Sequence, residues 1–206
     1  MERRNFLKGA AIAGAAAAAT TTLAAPAIAQ GVRELKMVMA WPKNSPGAGT
    51  SGQRVADRIT LLSDGKLKVK TYGAGELVPA FQSFDAVSAG DADMYHAAEY
   101  YFQGKAKGFN FLTAVPFGMT GTETHAWIRY GGGQELWDEL AGEFGLKCIM
   151  AGSTGSQAGG WFNKEINSAD DFKGLKMRIP GLGGDVIGKL GGSPVTVPGG
   201  QIYENL

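Results

Sequence analysis

Arg178 closes the alternating run Leu175-Lys176-Met177-Arg178 and is followed by Ile179-Pro180-Gly181. On a strand, Lys176 and Arg178 share one face while Leu175, Met177 and Ile179 share the other. If the apolar face enters a core, Arg178 emerges at the carboxyl end of its strand, where open α/β sheets hold ligands. A guanidinium there presents a rigid fork of donors that matches a carboxylate two bonds at a time. The same pattern also suits a solvated surface arginine.

Three other groups carry binding character. Trp41, in Trp41-Pro42-Lys43, follows an apolar run and can wall a pocket or pack on a neighbouring loop. Tyr100 and Tyr101 stand after Glu99, just past an expected strand; two neighbours on a strand cannot both face a core, so at least one hydroxyl faces a cleft or solvent. Gln157 sits among glycines in Gly155-Ser156-Gln157-Ala158-Gly159, where its amide oxygen can ligate a metal and its NH2 can donate to a carboxylate.

Catalytic patterns are thin. His96 and His125 lack paired metal-ligand spacing, no Gly-x-Ser-x-Gly occurs, and both histidines read as hydrogen-bonded structural residues. The single cysteine, Cys148, lies in an apolar stretch, reads as a small core residue and has no second cysteine to pair with. Gly181-Leu182-Gly183-Gly184 is not a dinucleotide fingerprint, since the next glycine is Gly188, although a helix starting there can offer N–H groups to an anion. No catalytic residue is assigned, and a binding protein is expected rather than an enzyme. A formal net charge of +1 gives no reason to expect nucleic acid as a partner.

The elements that must position these residues alternate along the chain. Strands are expected at 35–40, 67–72, 92–97 and 146–151, and helices at 51–62, 81–89 and, as a pair around Gly131-Gly132-Gly133, 123–143. This is an α/β pattern. The stretch Gly152-Ser153-Thr154-Gly155-Ser156 breaks it and reads as a hinge or domain crossing. A second α/β unit then begins, with strands at 160–163, 175–179 and 194–197, a capped turn at Ser168-Ala169-Asp170-Asp171, and a helix at 184–190. Another helix is expected to open at Gly199-Gly200, and its apolar face, Ile202, Tyr203 and Leu206, has nothing downstream to cover it. The expected organisation is a first α/β domain over 31–151 and the start of a second over 152–206, incomplete at Leu206.

Residues 1–30 read as an export signal. Arg3-Arg4-Asn5-Phe6-Leu7-Lys8 is a twin-arginine hexamer, followed by an Ala/Gly/Thr stretch and the small-residue site Ala27-Ile28-Ala29 before Gln30. Glu2 stands where the twin-arginine pattern usually has Ser or Thr, which leaves the Sec route open; either route ends in the periplasm. No later segment has an apolar run long enough to cross a bilayer.

Taken together, Ala40-Trp41-Pro42-Lys43, Gly73-Ala74-Gly75-Glu76-Leu77-Val78-Pro79, Tyr100-Tyr101 before Gly104-Lys105, Ala114-Val115-Pro116-Phe117-Gly118, Thr154-Gly155-Ser156-Gln157 and Gly174-Leu175-Lys176-Met177-Arg178 resemble the TRAP transporter solute-binding family, the DctP family. The resemblance is to its branch for 2-oxo and 2-hydroxy monocarboxylates. It implies a two-domain periplasmic clamshell that closes on a small organic acid and delivers it to a membrane permease. It implies that Arg178 grips the carboxylate, that Gln157 touches substrate and a bound sodium or calcium ion, and that Tyr100 or Tyr101 lines the cleft with Trp41. It leaves open which acid is bound and whether the intact protein forms a homodimer. Two other roles remain beside it: a twin-arginine-exported redox enzyme, and a carboxylate-sensing domain.

Overall fold

Leu35, Met37, Val38 and Met39 make β1 (Arg33–Met39) a strand that needs cover on both faces. The computed structural model, which describes residues 31–205, provides it. The expected export signal at 1–30 and the side chain of Leu206 lie outside the described residues. β1 is central in a parallel sheet of order β2-β1-β3, with β2 at Leu67–Tyr72 and β3 at Met94–His96. Its register sets Val38 beside Tyr72 on one side and Tyr95 on the other, and Met39 beside His96. The crossover from β1 to β2 is α1 (Ala48–Leu62), and that from β2 to β3 contains α2 (Ser83–Ser88). Parallel neighbours require such crossovers, which is why apolar runs and helical periods take turns in the sequence.

Phe84 of α2 is the centre of the larger core. Its ring lies 4.9 Å from Phe102, 5.6 Å from Phe109, 5.2 Å from Phe144 and 5.9 Å from Tyr95. Trp137 and Ala141 of α4 (Gly133–Gly142), Ile128 of α3 (Gly121–Tyr130) and Cys148 close the same cluster. The expected helix pair is present, with Gly132 left-handed at φ 87° between its members. Thr120 and Glu123 form a reciprocal capping box at the start of α3.

The second unit is smaller. β4 (Lys176–Arg178) and β5 (Ser193–Val195) pair in parallel, joined by α5 (Gly181–Lys189). The expected turn at 168–171 is a 3-10 helix, Ala169–Phe172, with Ser168 and Asp171 in a capping box. The expected helix after Gly199 takes the form of two 3-10 turns, Gly199–Gln201 and Tyr203–Asn205.

Two expected strands do not form. Residues 146–151 and 160–163 run irregularly, because no neighbouring strand among the described residues supplies ladder partners. The first segment is instead tied down by its side chains: Cys148 is buried, and its carbonyl accepts from Gln134 Nε2 at 2.8 Å. In the second, Trp161 remains 93% exposed, so the apolar content that suggested a strand enters no core. The 152–156 stretch is exposed and irregular, with Gly155 at φ 70°.

The two units meet at Gly181, the first residue of α5. A Cβ there would stand 2.9 Å from Asn110 Oδ1 and 3.0 Å from Tyr100 Cβ, and the residue's φ is +64°. Both space and backbone therefore demand glycine.

Two stability effects follow from this packing. Phe84→Ala should cost about 3–5 kcal/mol in urea unfolding, the range for emptying an aromatic core site. Gly181→Ala should lower stability by more than about 1 kcal/mol, because the new methyl meets both a wrong φ and a wall; an unchanged urea midpoint would contradict the close approach.

Candidate functional site

Arg178 ends β4, and only part of its side chain is withdrawn from water. A half-buried guanidinium needs partners, and it finds two. Nε and Nη2 donate to the carbonyl of Val197 at 3.2 and 2.9 Å, and Nη2 also reaches the Tyr101 hydroxyl at 3.4 Å. The first partner belongs to its own unit, just beyond β5, and the second to the other unit. No hydrogen bond from Nη1 exists among the described residues, so two N–H donors on the outer side of the fork stay available to an anion. Arg178 thus stands at the junction of the units, not on an outer face.

Tyr101 is brought there by a short turn. β3 ends at His96, and a 3-10 helix, Glu99–Phe102, follows it at the carboxyl edge of the sheet. In a 3-10 helix residues i and i+3 share a face. Glu99 and Phe102 take the inner face and are buried, which turns Tyr100 and Tyr101 outward and leaves both half-buried. Both tyrosines therefore line the junction, although they sit on a turn rather than a strand end. Their rings meet edge to face at 4.8 Å, and Phe81 packs on Tyr101 at 4.8 Å. The Tyr100 backbone N–H donates to Thr113 Oγ1 at 3.1 Å, which anchors the turn. Burial, reinforced by Tyr101, pushes the Tyr100 phenol upward, with Arg178 opposing. Tyr100 is neutral at physiological pH and can only share its hydroxyl.

Trp41 leaves the carboxyl end of β1 and completes the aromatic wall. It lies 5.1 Å from the His96 ring and 6.4 Å from the Tyr101 ring. The second unit also reaches this wall, since a Cβ on Gly199 would be 3.5 Å from Trp41 Cδ1. Lys43, the third residue of the Trp-Pro-Lys segment, is engaged elsewhere, in an ion pair with Glu76 at 2.7 Å.

Gln157 is exposed, its Nε2 donates to Thr154 Oγ1 at 2.7 Å, and no hydrogen bond joins it to Arg178 or the tyrosines among the described residues. Its amide oxygen makes no hydrogen bond there either, which leaves a hard oxygen of the type that sodium and calcium accept. Contacts on the ring and hydrogen-bond scale link Trp41, Tyr100, Tyr101 and Arg178.

Sequence reasoning passed over several contributors. The Val197 carbonyl and the Thr113 hydroxyl carry no signal in a linear reading. Phe81 was legible only as a helix residue. His96 is half-buried with its Nε2 3.2 Å from Ser51 Oγ and its Nδ1 without a partner among the described residues, and burial holds its basicity below the usual range. It supports Trp41 as a neutral ring, in keeping with a structural role.

Comparison with known proteins gives the family and the fold. The family model for bacterial extracellular solute-binding proteins, family 7, matches residues 37–206. A monocarboxylate 2-oxoacid-binding periplasmic protein of Nostoc sp. (strain PCC 7120) is 43% identical over 98% of this chain and 57% of its own length. A TRAP periplasmic solute-binding protein of Pseudoalteromonas atlantica T6c, solved with sodium and pyruvate, superposes with TM-score 0.82 at 42% identity, over 85% of this chain and 53% of that one. Its counterpart from Colwellia psychrerythraea, solved with calcium and pyruvate, gives 0.81 at 41% identity over the same shares, 85% and 53%. The chain spans about half the length of these relatives. A periplasmic solute-binding fold, an arginine at the junction of its two units and a family match over most of the chain lead to one assignment: the chain belongs to the DctP family, the bacterial extracellular solute-binding proteins of family 7.

Proposed function

We propose that this chain captures a small 2-oxo or 2-hydroxy monocarboxylate in the periplasm and serves a TRAP-type membrane permease, after export directed by the twin-arginine pattern at 1–30. The observation that carries this reading is Arg178: a fixed guanidinium at the meeting of two units, with part of its fork uncommitted and an aromatic wall beside it. The two units are the lobes of a clamshell, 31–151 and 152–206, crossing at 152–156, and closure between them is the mechanical step. The ligands of the Pseudoalteromonas and Colwellia relatives, pyruvate with sodium or calcium, are of the size and charge that such a site fits.

In this reading Arg178 takes the carboxylate through charge-assisted bonds, each contributing about 1.5–3 kcal/mol. Tyr101 holds the guanidinium plane from the opposite lobe. Tyr100 offers a neutral hydroxyl to the neighbouring carbonyl or hydroxyl oxygen, and Trp41 supplies apolar surface that excludes water. Gln157 contributes its unbonded amide oxygen to a sodium or calcium ion and, on closure, its amide NH2 to the substrate. The ion, when bound, supplies positive charge that one arginine cannot provide to both the carboxylate and the 2-oxygen.

Pyruvate titrated calorimetrically in sodium or calcium buffer checks the assignment. Arg178→Ala should weaken binding by about tenfold or more, since one charge-assisted bond alone is worth that factor. Arg178→Lys should rescue little, because an ammonium keeps the charge but not the fork. Equal dissociation constants for Arg178→Ala and the unaltered chain would remove the guanidinium from the site.

Tyr101→Phe is a finer probe of the same contact. It deletes one of the two acceptors for Nη2 while keeping the ring, and should weaken pyruvate only a few-fold, by about 1 kcal/mol.

A further inference from the structure

Glu99 is a carboxyl group in the larger core, 6% exposed, with no cationic partner among the described residues. Tyr95 donates its hydroxyl to Oε1 at 2.9 Å, and the same hydroxyl lies 3.1 Å from Cys148 Sγ. Among the described residues Oε2 is buried without a hydrogen-bond partner, as is Nε1 of Trp137 in the same cluster. An ionised carboxylate so placed would be costly; a protonated one is tolerable. Glu99 is also the first residue of the 3-10 turn whose next two residues are the site tyrosines. With Phe102 it forms the inner face of that turn, so the seating of Glu99 decides how Tyr100 and Tyr101 are held.

We propose that Glu99 is a positioning residue for Tyr100 and Tyr101, that the turn is built on its protonated form, and that its ionisation loosens the tyrosine pair and weakens carboxylate capture. The ligand readout of this proposal rests on the binding function above; its structural readout does not.

Burial pushes the Glu99 carboxyl up to about 7, against the opposing effect of the hydrogen bond from Tyr95 and of the nearby Cys148 thiol. The two groups in contact with it, Tyr95 and Cys148, do not titrate in that range. Burial raises the Tyr95 phenol far above it and pushes the Cys148 thiol up to about 11, with Glu99 and, from α4, Asp138 adding to the latter. Asp138 is itself ion-paired with Lys147. Arg178 acts on Tyr100, Lys105 and Lys107 are exposed on the outside of the adjoining loop, and His96 is neighbour to Tyr95 on the opposite face of β3. Because the folded chain holds the Glu99 proton more tightly than the unfolded chain, stability is full below the ordinary value of 4.5, falls as pH rises towards about 7, and is level beyond it.

The test follows pyruvate affinity and tyrosine near-ultraviolet circular dichroism across neutral pH in the unaltered chain, Glu99→Gln and Tyr95→Phe. A 2-oxo acid stays ionised throughout, so the ligand contributes no titration. In the unaltered chain the dissociation constant should rise about tenfold as pH passes through the Glu99 midpoint, the change expected if binding shifts that group by one pKa unit. Glu99→Gln, a permanently neutral isostere, should hold both signals flat at the low-pH values. Tyr95→Phe, which removes a bond that favours the ionised form, should move the midpoint to higher pH and keeps the test alive if Glu99→Gln does not fold. Parallel profiles for Glu99→Gln and the unaltered chain, or an unmoved midpoint in Tyr95→Phe, would overturn the proposal. If the unaltered chain binds no pyruvate at any pH, the binding function fails, and the circular dichroism profiles decide on Glu99 by themselves.

Discussion

A guanidinium partly removed from water must have most of its donors answered, and that requirement organises this molecule. Arg178 meets it with one backbone carbonyl from its own unit and one phenol from the other. Neither partner carries a charge, so the positive charge is oriented but not neutralised. An Asp or Glu in place of the Val197 carbonyl would have formed an ion pair and taken the fork out of use. Neutral acceptors hold the plane and leave the charge for a visiting anion.

The sheet and the turn exist in forms that deliver those acceptors. Parallel pairing of β1 and β3 puts Trp41 and the 99–102 turn at the same carboxyl edge, because both strands run the same way. A three-residue helical period then sorts Glu99-Tyr100-Tyr101-Phe102 into an inner pair and an outer pair. In the second unit, parallel pairing of Arg178 with Val195 brings the chain past Val197 within reach of Nε and Nη2. Gly181 lets α5 begin against Tyr100 and Asn110, where a side chain would hold the units apart.

Much of this was legible because the signals were local. A continuous apolar run marked β1, the alternation of Leu67 to Tyr72 marked β2 and that of Lys176-Met177-Arg178 marked β4, and Ser168 with Asp171 marked a cap. The residues 146–151 misled for a definite reason: apolar content permits a strand, but only a neighbouring ladder makes one. The same holds for 160–163, where Trp161 is left in solvent. Tyr100 and Tyr101 were legible as site residues by their chemistry, while the turn that presents them was not, since four residues are too few to show a period. Gln157 was singled out by residue type and by family resemblance, yet what its side chain bonds to depends on how the irregular 152–163 segment runs, which no pattern in the chain encodes.

The core beneath the site is unusual in keeping polar atoms that an apolar substitution would spare. Replacing a buried, half-satisfied carboxyl with a well-packed hydrophobe is often neutral or stabilising, so Glu99 is poorly explained by stability alone. Its neighbours make the same point: among the described residues the Trp137 indole and the second Glu99 oxygen lack hydrogen bonds, while Tyr95 is shared between an acid and a thiol. Polar groups placed this way hold one arrangement of a turn more narrowly than oil-like packing would, because a small displacement breaks a directional bond rather than sliding a contact. Tyr100 follows Glu99 directly, and Tyr101 comes next after it. The hydroxyl that steadies Arg178 is therefore only as fixed as the acid behind it.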